Sequence, residues 1–396
     1  MSKSRKHAFP EPRLITATDD LAETVSRLRQ ETFVTVDTEF MREKTYWPEL
    51  CLIQIAGETE VVLIDSFAPG IDLDPLKALF DDPNVVKVFH AARQDLEIFL
   101  HLFGALPTPL FDTQVAAMVA GYGDQVGYDN LVGALTGAAI DKSHRFTDWS
   151  VRPLSAAQLT YAAADVTYLR LVYQGLIDQL EREGRAGWVE AELAALSDPD
   201  RLIVDPEKQW EKLRARTGNR RMLGILKAIA AWREREAQNA NVPRQRMLKD
   251  ESLLEIAATV PKTVEALARV RGVTRGFADG RMGQDLLAVV QAACALPESE
   301  LPKVTRNRGA DAPRPSPALV ALLKVLLAYE CERHDVAPKL VASSDDLDAF
   351  ALKPDAQGPL LTGWRRDVFG EEALALCEGK LALAVQNGRV KLLRTE

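Results

Sequence analysis

Cysteine is scarce, with four residues in 396, and Cys51, Cys294, Cys331 and Cys377 are widely scattered with no CxxC pair. This excludes a disulfide framework or a cysteine-built zinc site and fits reduced thiols in a cytoplasmic protein. Histidine is nearly as rare, and His7, His101, His144 and His334 form no ligand spacing. No apolar run approaches the ~18–20 residues of a membrane span, so no membrane partner is expected. The basic opening MSKSRKHAFP is followed by no apolar segment, which argues against a secretory signal. The GxxxxGK[ST] loop of a helicase motor is missing too.

What is present describes a soluble globular protein. A hydrophobic share of 47% with 27% charged residues supports sizeable cores, and 396 residues suggest two or three domains. The net charge of −8 divides unevenly, with −14 in residues 1–200 and +6 in 201–396, of which 201–290 alone hold +7. An acidic front half and a basic module suit a protein that holds metal in one part and a polyanion in another. Ordinary surface variation would give the same imbalance.

Strands are expected at 32–37, 50–56 (LCLIQIA) and 60–65 (EVVLID), with a hairpin turn at Gly57. DLDPLKALF reads as a helix, NVVKVFH (84–90) as a fourth strand and ARQDLEIFLHLF (92–103) as an amphipathic helix. This βββαβα order predicts an α/β class with a mixed sheet flanked by helices. Farther on, Ser155 and Gln158 have the spacing of a capping box after Pro153, opening a helix that runs to about Glu183 and stops at Gly184. SDPDRLIVDPE (197–207) reads as a linker. Beyond it lies a weak duplication: 235–257 resembles 332–351, and in each an Asp opens a helix seven residues after a proline, Pro243 to Asp250 and Pro338 to Asp345. The prolines and charges of 296–317 fit an extended tether between two small helical domains.

FVTVDTEF (33–40) puts Asp37 and Glu39 on one face of a strand that otherwise reads as buried. Two like charges so placed need a counter-charge, and no Lys or Arg lies in the strand to supply it. Asp95 sits early in the helix after the fourth strand. Asp165 lies inside the capped helix, with Tyr161 one turn before it on the same face and three alanines between them. Four carboxylates without imidazole form an all-oxygen set suited to Mg²⁺ or Mn²⁺, and two such ions make the usual clamp for phosphodiester hydrolysis. A tyrosine hydroxyl nearby would orient the attacking water.

VDTEF, FHAARQDLEIF and LTYAAADVTYL resemble the three motifs of the DEDD superfamily of 3′–5′ exonucleases, whose ribonuclease-H-like fold has the same element order. Thr160 stands where one branch has histidine, and Tyr161 matches the tyrosine branch. AIAAWREREAQNANVPRQRMLKDESLLEIA looks like an HRDC domain, and 317–396 resembles a second, more divergent copy. An exonuclease domain with two such modules resembles the bacterial ribonuclease D family across nearly the whole chain. The implied division is an exonuclease domain at 1–197, an HRDC domain at 208–295, a linker at 296–316 and a second HRDC domain at 317–396.

The resemblance implies that Asp37, Glu39 and Asp165 ligate one divalent cation, that Asp37 also touches a second whose waters Asp95 holds, and that Tyr161 orients the nucleophile. It further implies release of 5′-mononucleotides from RNA 3′ ends, with transfer-RNA precursors as the substrate class and no obligate protein partner. Arg214, Arg216, Arg220, Arg221, Lys227, Arg244, Arg246 and Lys249 are candidate phosphate contacts, about half of them expected to be plain solvated surface. Tyr46, Trp47 and His90 are candidates for stacking on terminal bases, with packing against the sheet equally open for the last two. Two alternatives remain at this point: a DNA 3′-end trimming enzyme of the same branch, and an RNA-binding protein without catalysis.

Overall fold

The computed structural model describes residues 9–213, 215, 217–302 and 314–395. The chain forms two compact units: residues 1–39, 51–202 and 313–396 make the first, and 40–50 with 203–312 the second.

In the first unit, six strands form one sheet: β1 (Pro12–Ile15), β2 (Phe33–Met41), β3 (Glu49–Ala56), β4 (Val61–Asp65), β5 (Val86–Phe89) and β6 (Leu110–Asp112), in the order β1-β4-β3-β2-β5-β6. β3 and β4 pair antiparallel, whereas β1 with β4, β2 with β5 and β5 with β6 are parallel, so the sheet is mixed. The predicted strands and the Gly57 turn fall where the apolar runs put them. The short β1 and β6 were not expected. Cys51 to Ala56 and Val61 to Asp65 are buried throughout, as helices α1 (Thr18–Leu28), α2 (Pro75–Phe80), α3 (Arg93–Phe103), α4 (Thr113–Val119), α5 (Tyr128–Thr136), α6 (Ala156–Arg182) and α7 (Ala186–Leu196) accompany the sheet.

α6 begins as its sequence dictates. The Ser155 hydroxyl accepts from the Gln158 amide while the Gln158 side chain accepts from the Ser155 amide, and the helix ends at Arg182 two residues before Gly184. Its small residues allow a close approach: Ala163 and Val166 pack with Ala56 and Val61 of the sheet.

The remainder of the first unit contains α14 (Pro317–His334), α15 (Pro338–Val341), α16 (Ser344–Leu352), a short α17 (Gly363–Arg365), a π-turn at Arg366–Gly370, α18 (Glu371–Cys377) and an antiparallel pair, β7 (Leu381–Gln386) and β8 (Arg389–Arg394). This module was expected to be all helical, and the closing hairpin departs from that. Asn387 (φ 53°) and Gly388 (φ 74°) both take the left-handed region that a tight hairpin turn requires. α7 holds the module: Arg365 donates to both carboxylate oxygens of Glu192 at 2.7 and 2.8 Å, and Trp188 stacks on Trp364 at 4.9 Å.

The second unit is helical, built on α8 (Arg220–Asn239) with α9 (Arg244–Met247), α10 (Asp250–Thr259), α11 (Val264–Leu267), α12 (Arg275–Asp279) and α13 (Arg281–Ala295). Its core gathers Ile225, Leu226, Ile229, Leu253, Ile256, Leu286 and Val290. As the repeat implied, a new helix opens at Asp250 in one copy and at Ser344, one residue before Asp345, in the other; a four-residue helix that follows or includes each proline was not expected.

Candidate active site

Parallel pairing of β2 with β5, Phe33 opposite Val86 and Thr35 opposite Val88, carries the C-terminal ends of both strands to one edge of the sheet. Asp37 and Glu39 leave β2 at that edge, and the turn after β5 leads into α3 with Asp95 in its first turn. Asp112 shapes that turn. Its carboxylate accepts from the amides of Ala91 (3.1 Å) and Ala92 (2.9 Å) and caps α4 through Gln114 (2.7 Å). Those bonds hold Ala91 at φ 58°, a conformation few non-glycine residues adopt unaided. The Thr35 hydroxyl donates to the Val166 carbonyl at 2.7 Å, fixing α6 against β2 beside Asp165. From α5, the Tyr128 hydroxyl donates to the carbonyls of Asp165 (2.7 Å) and Ala164 (3.1 Å).

The result is a convergence of acids from distant segments. One oxygen each of Asp37, Glu39 and Asp165 lies within 4.8 Å of the others. Asp95 is outside that triplet; it is buried, accepts from the Thr38 hydroxyl, feels the charge of Asp37 and in turn acts on Glu39. Burial drives every member toward its neutral form, and neighbouring carboxylates add to it for Asp37, Glu39 and Asp95. Asp37 is held well above its ordinary value by burial and Asp165, Asp95 likewise by burial and Asp37, and Glu39 is pushed up to about 10 by burial, Asp37, Asp165 and Asp95. Burial pushes Asp165 up to about 7, opposed by the Tyr161 hydroxyl and by Arg145. The Tyr161 phenol is raised strongly by burial, Asp165 and Glu39, so it stays protonated and donates to Asp165.

Such crowding is unfavourable for the charged acids by themselves and favourable around a small dication. An all-carboxylate set with its ligand atoms this close fits a hard divalent cation bound through oxygen.

Sequence reasoning missed the segment just before α6. Trp149 is buried with its ring 6.1 Å from that of Tyr161, and the Gln158 side chain donates to the Thr147 hydroxyl at 3.4 Å. Arg152 anchors the segment through two bonds to Asp65, at 2.7 and 2.8 Å, and one to the Cys51 carbonyl at 2.7 Å. At its tip Arg145, whose charge acts on Glu39 and Asp165, lies 5.3 Å from the ring of Phe146, which is 91% exposed. An arginine beside an aromatic in KSHRFTDW was the available signal.

The other candidates are dispersed. His90 is half-buried: its Nδ1 lies 3.0 Å from the Thr113 hydroxyl, its ring centre is 5.4 Å from that of Tyr128, and burial lowers its pKa. Trp47 belongs to the second unit, where its amide donates to the Asn241 side chain at 3.0 Å and its indole to the Gln238 carbonyl at 3.4 Å. Tyr46 beside it is buried and donates to Glu234. Arg220 donates to the carbonyls of Glu298, Leu301 and Pro302, and Arg221 to those of Cys294 and Leu296, so both close the end of α13 instead of facing solvent freely. Arg244 pairs with the buried Glu234 at 3.1 Å, and Lys227 lies 3.6 Å from Glu207. Arg246 and Lys249 are exposed. Arg214 and Arg216 lie outside the described residues.

Comparison with known proteins places the chain as a whole. Residues 12–181 match the 3′–5′ exonuclease family, and residues 222–290 match the HRDC domain family. A ribonuclease D from Gluconacetobacter diazotrophicus is 67% identical over 391 residues, covering 99% of both chains. One from Granulibacter bethesdensis is 60% identical over 395 residues and covers 100% of both. The crystal structure of Escherichia coli RNase D, described as an exoribonuclease involved in structured RNA processing, superposes with a TM-score of 0.79 at 32% identity, covering 93% of this chain and 99% of that one.

Proposed function

The chain belongs to the ribonuclease D family and carries a 3′–5′ exonuclease domain, and on that premise we propose that it trims RNA from the 3′ end, transfer-RNA precursors foremost, releasing 5′-mononucleotides by two-metal hydrolysis. The observation that supports this reading is the meeting of Asp37, Glu39 and Asp165 within 4.8 Å, with Asp37 acting on the buried Asp95 and Tyr161 donating to Asp165.

Asp37, Glu39 and Asp165 would hold one cation and Asp37 with Asp95 the second, Mg²⁺ or Mn²⁺ by donor type. When bound, these ions supply an activated water and countercharge for the phosphodiester. The chain's own groups do the remaining work. Tyr161, kept protonated by burial and by Asp165 and Glu39, donates its one proton to Asp165 and orients the attacking water by accepting from it, and is not a base that deprotonates it. Thr38 fixes the carboxylate of Asp95 by donating to it, and Tyr128 holds the backbone on which Asp165 rides. Arg145 adds positive charge on the side where the substrate phosphate must approach Glu39 and Asp165.

The test is incubation of a 3′-extended transfer RNA with the protein and Mg²⁺ or chelator, resolving product length and end chemistry. The expected result is stepwise shortening with nucleoside 5′-monophosphates, stopped by chelator and reduced at least about 10³-fold in Asp37→Asn and Asp165→Asn, since each removes several kcal/mol of charge stabilisation. Retained turnover in either variant overturns the mechanism. Faster loss of a matched single-stranded DNA would replace the RNA reading with the DNA one, and binding without any shortening would leave an RNA-binding protein.

A further inference from the structure

The C-terminal module of the first unit has a groove that shares no lining residue with the acidic centre. Its volume is about 1230 Å³, and it lies between α14 and the β7–β8 hairpin. Lys324, Tyr329 and Arg333 line it from one face of the helix, while Arg389 and Lys391 line it from β8. The one acid in the lining is Glu332.

The charges here are arranged unlike most on this chain, where arginines are largely engaged with acids or carbonyls. Lys324, Arg389 and Lys391 are exposed and form no ion pair among the described residues; Arg333 reaches Glu330 at 3.1 Å. A concave face with three uncompensated cations, in a chain of net charge −8, focuses a positive field on whatever fills it. One half-buried tyrosine offers little stacking surface, so contacts fall on phosphates and not on bases.

We propose that this groove binds the sugar–phosphate backbone of the RNA substrate, away from the nucleotides being cleaved. The proposal rests on the RNA-trimming reading and adds to it a grip that only a long or folded RNA can reach.

The experiment compares the parent with Lys324→Glu/Arg389→Glu/Lys391→Glu on two probes, a 3′-extended transfer RNA and a five-nucleotide single-stranded RNA. The expected result is a KM for the transfer RNA raised tenfold or more at low salt, kcat unchanged, and a salt slope reduced by about two to three, one unit per lost phosphate contact. The five-nucleotide probe should be unaffected. An unchanged KM on the long RNA overturns the proposal, as does an equal loss on both probes. The corresponding triple Gln variant, smaller in its electrostatic effect but of the same direction, guards against misfolding from charge reversal. Should the parent shorten no RNA at all, the trimming reading fails separately. The groove is then tested by anisotropy of labelled transfer RNA in chelator, where unchanged affinity of the reversal variant overturns it. A reversal that alters sedimentation and not RNA affinity means the groove, with the free edge of β8, seats protein, which also overturns the proposal.

Discussion

Replacing Asp165 by Asn should stabilise the protein when no metal is present, and that follows from its surroundings. Asp165 is 9% exposed, and burial pushes its carboxyl up to about 7. The folded state therefore favours the protonated acid, while the unfolded chain ionises it near the ordinary value of ~4. The contribution to stability is fully present below that ordinary value and is lost as pH rises through the folded value near 7. A displacement of about 3 units at ~1.4 kcal/mol each sets an upper bound of about 4 kcal/mol. Relaxation around the charge brings the expected effect to about 2 kcal/mol, or a melting shift of ~4–8 °C for a domain of this size. Asn still accepts from Tyr161 and carries no charge. In chelator at pH 8, Asp165→Asn should melt above the parent, and the two curves should converge toward pH 4. With Mg²⁺ the order should reverse, because only the parent has the full ligand set and gains the binding energy. Glu39, pushed up to about 10, extends the metal-free decline of the parent past neutrality in the same direction. Melting curves across pH 4–9, with chelator and with Mg²⁺, read both effects. A metal-free Asp165→Asn that melts below the parent at pH 8, or that gains as much from Mg²⁺, would refute the reasoning.

Three further outcomes are expected. Tyr161→Phe should lower kcat about 10²-fold, the usual cost of one lost donor, with KM unchanged and no alkaline limb removed from the pH–rate profile, because the phenol never ionises in that range. Thr38→Val removes the hydroxyl that donates to Asp95 and should weaken Mn²⁺ activation about tenfold, read from the metal dependence of the rate. Phe146→Ala, at a ring 91% exposed beside Arg145, should raise KM for single-stranded RNA several-fold, since one stacked base contributes ~1 kcal/mol or more, while hydrolysis of a small chromogenic phosphodiester stays unchanged.

The legible parts of this fold are those where periodicity is strong. LCLIQIA and EVVLID could hardly be other than buried strands, and Ser155 with Gln158 marked the start of α6 because the capping box is a local device. Asp37, Glu39 and Asp165 were visible because charged residues in apolar settings contradict their surroundings, whereas Asp95 and Tyr161 were visible only as members of the constellation that resembles the exonuclease motifs. β6 escaped because three residues carry too few side chains for a pattern to register, and β1 because PRLI opens on a proline and an arginine and buries only Ile15, unlike the equally short but apolar β5. The hairpin at Asn387 and Gly388 was readable from VQNGRV, a turn signal overridden by the helical repeat that precedes it. Arg220 and Arg221 show the opposite failure: cationic residues suggest phosphates, yet here the nearest unsatisfied groups are carbonyls at a helix end, a partner that sequence spacing of more than 70 residues conceals. Asp112 and Tyr128 were missed for the same reason, since they act on backbone atoms of residues 91, 92, 164 and 165 that only the folded chain brings near.

The most direct test of the account is anomalous scattering from crystals of the parent protein grown with Mn²⁺ and a short RNA. Two manganese peaks about 3.5–4 Å apart are expected, one against Asp37, Glu39 and Asp165 and the other against Asp37 on the Asp95 side. Well-ordered carboxylates with no peak among them, or metal bound only elsewhere on the chain, would contradict it.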